Sequence, residues 1–89
     1  MTDLVKLEPK FENVKSYYGK AQVRYYDNGD SALLSYDTLV ADIKNNMPSV
    51  RMIYSQTTLR HIKEYLKQNG FEAKNKQQIL DKYFKAEDQ

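Results

Sequence analysis

The 89-residue chain has no cysteine and no tryptophan, and only one histidine, two prolines and three glycines. Without thiols there can be neither a disulfide framework nor a thiolate metal site, which suits a reducing compartment. The single imidazole, His61, with carboxylates scattered through turns, is not a metal-ligand set. Its neighbours Arg60 and Lys63 disfavour a charged ring, and no cysteine accompanies it, so a partly buried structural histidine is expected in place of a catalytic relay. The glycines stand far apart at Gly19, Gly29 and Gly70, so no glycine-rich phosphate loop can form. Asp27, Asp30, Asp37 and Asp42 lack the spacing and the terminal acidic ligand of a Ca²⁺ loop. No apolar run approaches the roughly 20 residues that cross a bilayer, and the first residues lack the basic-then-apolar order of a signal peptide. The expectation is a noncatalytic, cytoplasmic protein with no cofactor and no membrane contact.

What is present is modest in charge and rich in rings. The formal charge is +2 with a pI near 8.8, which permits nucleic-acid contact without making the chain a strongly cationic binder. Residues 1–54 carry seven Lys and Arg against seven Asp and Glu, and residues 55–89 carry seven against five, so the positive excess belongs to the C-terminal part. Eight tyrosines and three phenylalanines suffice for the one core that a chain of this length can bury, with some rings left for the surface.

The firmest element is a helix over residues 57–69. Ser55, Thr57 and Thr58 offer hydroxyls to its first unpaired N–H groups. Leu59, Ile62 and Leu66, with Tyr65 beside them, form an apolar stripe that should face a sheet. Gly70 can take the left-handed conformation and let Phe71 fold back on Leu66, the contact of a Schellman ending. On the other side Arg60, Lys63 and Lys67 repeat at i, i+3 and i+7, with Glu64 as the nearby acid.

Residues 20–36 read as a β-hairpin. Asn28-Gly29 suits a two-residue type I′ turn, which pairs Tyr25 with Ala32, Val23 with Leu34 and Ala21 with Tyr36 on one oily face. Gln22, Arg24, Tyr26, Ser31, Leu33 and Ser35 then lie on the other. The apolar parity slips after Tyr36, which calls for a turn or bulge at Asp37-Thr38, followed by a strand over residues 39–44. Residues 45–49 form a turn cluster, and Val50, Met52 and Tyr54 alternate in a final strand.

The remaining segments are less regular. Residues 1–16 read as a flexible or weakly structured N-terminal segment; over residues 9–18 Phe11, Val14 and Tyr18 could line a short helix closed by Gly19, while Tyr17-Tyr18 favours an extended approach to the hairpin. Near the C-terminus, Asn75 and Gln78 resemble a capping box, and Ile79, Leu80, Tyr83 and Phe84 give a narrow apolar edge. Residues 17–85 thus form a single domain, with residues 86–89 fraying. The fold class is α+β: an antiparallel meander of three or four strands against one main helix, with a short C-terminal helix.

Two binding readings follow. An exposed sheet edge and a charged helix suit a protein partner, which ranks first and remains unidentified; the same edge could pair a homodimer. The alternative is nucleic acid, with phosphates contacted by Arg60, Lys63, Lys67 and Lys74 and bases stacked on exposed Tyr26 or Tyr17 with Arg24. The helix pair superficially suggests helix-turn-helix, but the second helix lacks an exposed Arg, Asn and Gln row for base readout, apart from Gln77 and Gln78.

Three strings carry a resemblance: Tyr18-Gly19-Lys20-Ala21, then Leu34-Ser35-Tyr36-Asp37-Thr38-Leu39-Val40-Ala41, then residues 54–68 from Tyr54-Ser55-Gln56 to Leu66-Lys67-Gln68. Over residues 17–71 the chain resembles a small uncharacterised domain of phages, plasmids and genomes of Gram-positive bacteria. The resemblance implies a mobile-element setting and no established activity. It would place a shared surface at residues 35–38 and 57–61.

Overall fold

The computed structural model describes residues 3–17, 19–53 and 55–84. Five strands, β1 (Asp3–Lys6), β2 (Ala21–Tyr25), β3 (Ser31–Ser35), β4 (Thr38–Lys44) and β5 (Met47–Val50), precede two helices, α1 (Gln56–Gln68) and α2 (Lys76–Tyr83). The strands form one antiparallel sheet in the order β1-β2-β3-β4-β5. The α+β meander is therefore as expected, with five strands where three or four were predicted. The extra one is β1, in the segment read as a loose lead-in. Its residues Asp3, Leu4, Val5 and Lys6 pair with Tyr25, Arg24, Val23 and Gln22, and Leu7 N–H continues the ladder to Ala21 O at 2.8 Å.

The first hairpin differs from expectation by one residue. Tyr26 N–H bonds to Asp30 O at 3.0 Å and Gly29 N–H to Tyr26 O at 3.1 Å, so the loop has three residues, with Gly29 at φ +95 in the left-handed position. Tyr25 therefore faces Ser31, Val23 faces Leu33 and Ala21 faces Ser35. Because side chains alternate with period two, this slip reverses the faces of β3. Leu33 is fully buried on the helix side with Ser31 and Ser35, while Ala32 and Leu34 belong to the opposite face.

Parity after β3 is reset twice. Tyr36 and Asp37, at φ 53 and 66, make a two-residue turn, and the register shifts between Leu33 and Leu34 so that Val40 has no opposite residue. Asn45 and Asn46, at φ 53 and 63, make a second tight turn, so residues 47–49 are strand and not the expected turn cluster. Pro48 is tolerated because β5 is an edge strand. The final strand ends at Val50; Met52 is exposed and Ile53 packs on the core, the reverse of the predicted alternation. Residues 9–17 form no helix. Tyr18, Tyr54 and the tail expected to fray lie outside the described residues.

Both helices cover one face of the sheet. Leu59, Ile62, Tyr65 and Leu66 of α1 meet Val23, Leu33, Val40, Ala41 and Val50 in a single core that Leu7, Tyr17, Ala73 and Ile79 complete. Ser55 caps α1 by accepting from Thr58 N–H at 3.2 Å. Its C-terminus is a Schellman motif: Phe71 N–H reaches Leu66 O at 2.9 Å and Gly70 N–H reaches Lys67 O at 3.1 Å, with Gly70 at φ +87. Asn75 caps α2 through Gln78 N–H at 2.9 Å, and Gln78 Oε1 accepts from Lys74 N–H at 2.7 Å, a capping box displaced by one residue.

Candidate functional site

The helix side of the sheet buries the hydroxyls of Ser31 and Ser35, which the predicted register placed on the opposite face. Ser31 Oγ and Tyr65 Oη lie 2.6 Å apart, and Ser35 Oγ lies 2.9 Å from His61 Nδ1. Burial raises the Tyr65 phenol well above its ordinary value despite the Ser31 hydrogen bond, and it lowers the His61 pKa below its ordinary value. His61, expected to be partly buried, is 1% exposed.

Glu64, read as the counter-charge of a wet helix face, points inward instead and is 2% exposed. Its carboxylate accepts N–H bonds from Lys10 at 2.8 Å and from Phe11 and Glu12 at 3.1 Å each, and from Gln68 Nε2 at 2.6 Å. Three successive loop amides converging on one carboxylate form an anion nest filled from within. The nest explains why residues 9–17 follow α1 and do not coil on their own. Glu12, turned the other way, accepts from Tyr17 Oη at 2.5 Å and pairs with Arg60. Partial burial would raise the Glu12 carboxyl, but the hydrogen bonds from Tyr17 and Arg60 and the charges of Arg60 and Lys63 outweigh it and hold the group below its ordinary value.

The six candidate contact residues do not form one surface. Arg60, Lys63 and Lys67 line a depression of about 290 Å³, as their spacing predicts, but Glu12 and Glu64 line it too, and Arg60 is engaged by Glu12. Lys74 sits apart in the connector before α2. Arg24 and Tyr26 alternate with buried Val23 and so belong to the sheet face turned away from the helices. There Tyr26 borders a depression with Asp42, which Arg51 Nη2 contacts at 3.0 Å. Among the described residues no three His, Cys, Asp or Glu gather as a metal site, and no helix is long and apolar enough to cross a membrane.

Sequence reasoning missed β1, because Leu4, Val5 and Leu7 show no sustained period. Leu4 and Val5 are 50% and 48% exposed although both are strand residues. Leu7 and Ala21 are a hydrogen-bonded pair, so by antiparallel alternation the backbone N–H and C=O groups of Leu4 and Lys6 point away from β2. A groove of about 240 Å³ runs along the helix side of this edge, with Val5, Leu7, Val23 and Tyr25 on its floor and Lys10 and Gln68 at its rim. The opposite edge is closed: β5 contains Pro48, and Val50 bridges to Phe84 at the end of α2.

Among curated proteins and solved structures, nothing matches the chain. Residues 5–82 match a Family of unknown function (DUF8033), and the chain belongs to that family.

Proposed function

We propose that the protein is a noncatalytic binding module that takes an extended segment of a partner protein as a sixth strand on β1. The observation that carries this reading is the outward-turned backbone of Leu4 and Lys6 above an apolar groove at the one uncovered edge among the described residues. In such strand addition the backbone bonds provide affinity and pockets for alternate side chains provide selectivity. The groove lined by Val5, Val23 and Tyr25 would seat an apolar side chain of the incoming segment. The cationic face of α1 is the weaker candidate, because Glu12 and Glu64 share it. The resemblance to phage and plasmid domains adds a mobile-element setting in a bacterial cytoplasm to the proposal.

Panning a random-peptide display library on the immobilised protein tests this reading. Enriched peptides should alternate apolar residues, shift the amide resonances of Leu4 and Lys6, and lose binding to Lys6→Pro, which deletes an outward donor and leaves the ladder to β2 intact. Peptide binding that survives Lys6→Pro would refute it. So would a wild-type dimer that Lys6→Pro dissociates, since a second copy would then occupy the edge, or tight salt-sensitive binding to nucleic acid with no peptide enriched.

A further inference from the structure

A second concavity, of about 300 Å³, opens on the far side of α1 between the 14–17 segment, Lys20, Tyr36 and the helix residues Thr57, Arg60 and His61. That volume is at the small end of ligand pockets. Its inner wall is aromatic and fixed: the Tyr17 and His61 rings meet edge to face with centroids 4.6 Å apart, and both are buried. Ser35 Oγ lies 2.9 Å from His61 Nδ1, which anchors the ring from below. The outer wall is Tyr36, half-exposed and tilted at 41° to His61 with ring centroids 6.1 Å apart.

The rim is cationic and held by backbone. Lys20 N–H bonds to Tyr17 O at 3.0 Å, and Tyr36 N–H bonds to Lys20 O at 2.8 Å, which locks Lys20 beside Tyr36 with its ammonium 5.8 Å from the ring centroid. Lys15 borders the same opening. Among the described residues neither Lys15 nor Lys20 is in an ion pair, whereas Arg60, the third cation, is paired with Glu12. An exposed tyrosine ring suits a flat heterocycle, and two ammonium groups outside any ion pair at the mouth suit a phosphate.

We propose that this cleft binds a nucleoside monophosphate, its base against the exposed Tyr36 ring and its phosphate between Lys15 and Lys20. The site is separate from the β1 edge and does not depend on the strand-addition reading.

Titration of the full chain with adenosine and uridine 5′-monophosphates, followed by amide chemical shifts and calorimetry, tests it, with adenosine and inorganic phosphate as separate probes. At least one nucleotide should saturate with a Kd below about 1 mM, and the shifts should centre on Lys20, Tyr36 and His61. Adenosine and phosphate alone should each bind about tenfold more weakly or worse, as should the nucleotide to Lys15→Ala/Lys20→Ala. Tyr36→Asn, which keeps a residue suited to the left-handed turn, should likewise weaken nucleotide binding. Failure of both nucleotides to saturate by about 10 mM would overturn the proposal. Phosphate binding as tightly as the nucleotides, or unaltered nucleotide affinity in correctly folded variants, would also overturn it.

Discussion

Removing the Glu64 carboxylate is the sharpest test of how the N-terminal segment is held. In Glu64→Ala the amides of Lys10, Phe11 and Glu12 and the Gln68 side chain lose one shared acceptor. A hydrogen bond to a charged group contributes about 1.5–3 kcal/mol net. The contributions do not add here, because Lys10 and Phe11 are exposed and their freed N–H groups can turn to water. A total near 3 kcal/mol is therefore expected, a large share of the roughly 5–15 kcal/mol that holds a small domain together. With urea m-values of about 1–3 kcal/mol/M, the unfolding midpoint should fall by about 1–3 M. Glu64→Gln keeps one acceptor oxygen but sets an amide NH₂ against the loop donors, and should fall between Ala and wild type. Lys63→Ala on the outer side of the same helix should stay within about 0.5 kcal/mol of wild type. Amide exchange at Phe11 and Glu12 should accelerate in Glu64→Ala even under native conditions. A midpoint for Glu64→Ala equal to that of Lys63→Ala would show that the nest contributes nothing to stability and would refute the account of residues 9–17.

Two further outcomes follow from the register and the buried histidine. Leu33→Ala should cost about 2–5 kcal/mol by urea denaturation and Leu34→Ala under about 1 kcal/mol, since only Leu33 lies beneath α1; the opposite ranking would restore the two-residue hairpin. Burial holds the His61 pKa below its ordinary 6.5, so the unfolded chain takes up a proton that the folded one resists. Stability should be full above that value and decline as pH falls through it toward the folded-state pKa, and His61→Gln should flatten the urea midpoint between about pH 7 and pH 5.5. Loss of Glu12 ionisation acts at lower pH, since its pKa is lowered from 4.5. A decline in His61→Gln as steep as in wild type would assign the acid sensitivity elsewhere.

The local features are legible in the sequence itself. Ser55, Gly70 and Phe71 define the ends of α1, Asn75 defines the start of α2, and the spacing of Leu59, Ile62 and Leu66 sets the buried face, because caps and helical periodicity act within a few residues. The cationic row Arg60, Lys63 and Lys67 follows from the same periodicity, although nothing in it reveals that Glu12 comes from some fifty positions away to pair with Arg60.

Tertiary structure decided the rest. Asn28-Gly29 fits a two-residue or a three-residue loop, and the one-residue difference decides which face of β3 is buried. The native register sets Leu33 under α1 and gives Tyr65 and His61 the Ser31 and Ser35 hydroxyls as partners, contacts spanning 34 and 26 positions. β1 lacks a periodic signature because its value lies in pairing with β2, and Glu64 is buried where the amides of residues 10–12, more than fifty positions earlier, close over its carboxylate. The sequence alone determined the helices and the α+β class through short-range chemistry. Which polar groups are buried, which sheet edge stays open and which cations remain unpaired were settled only by groups brought together across the chain.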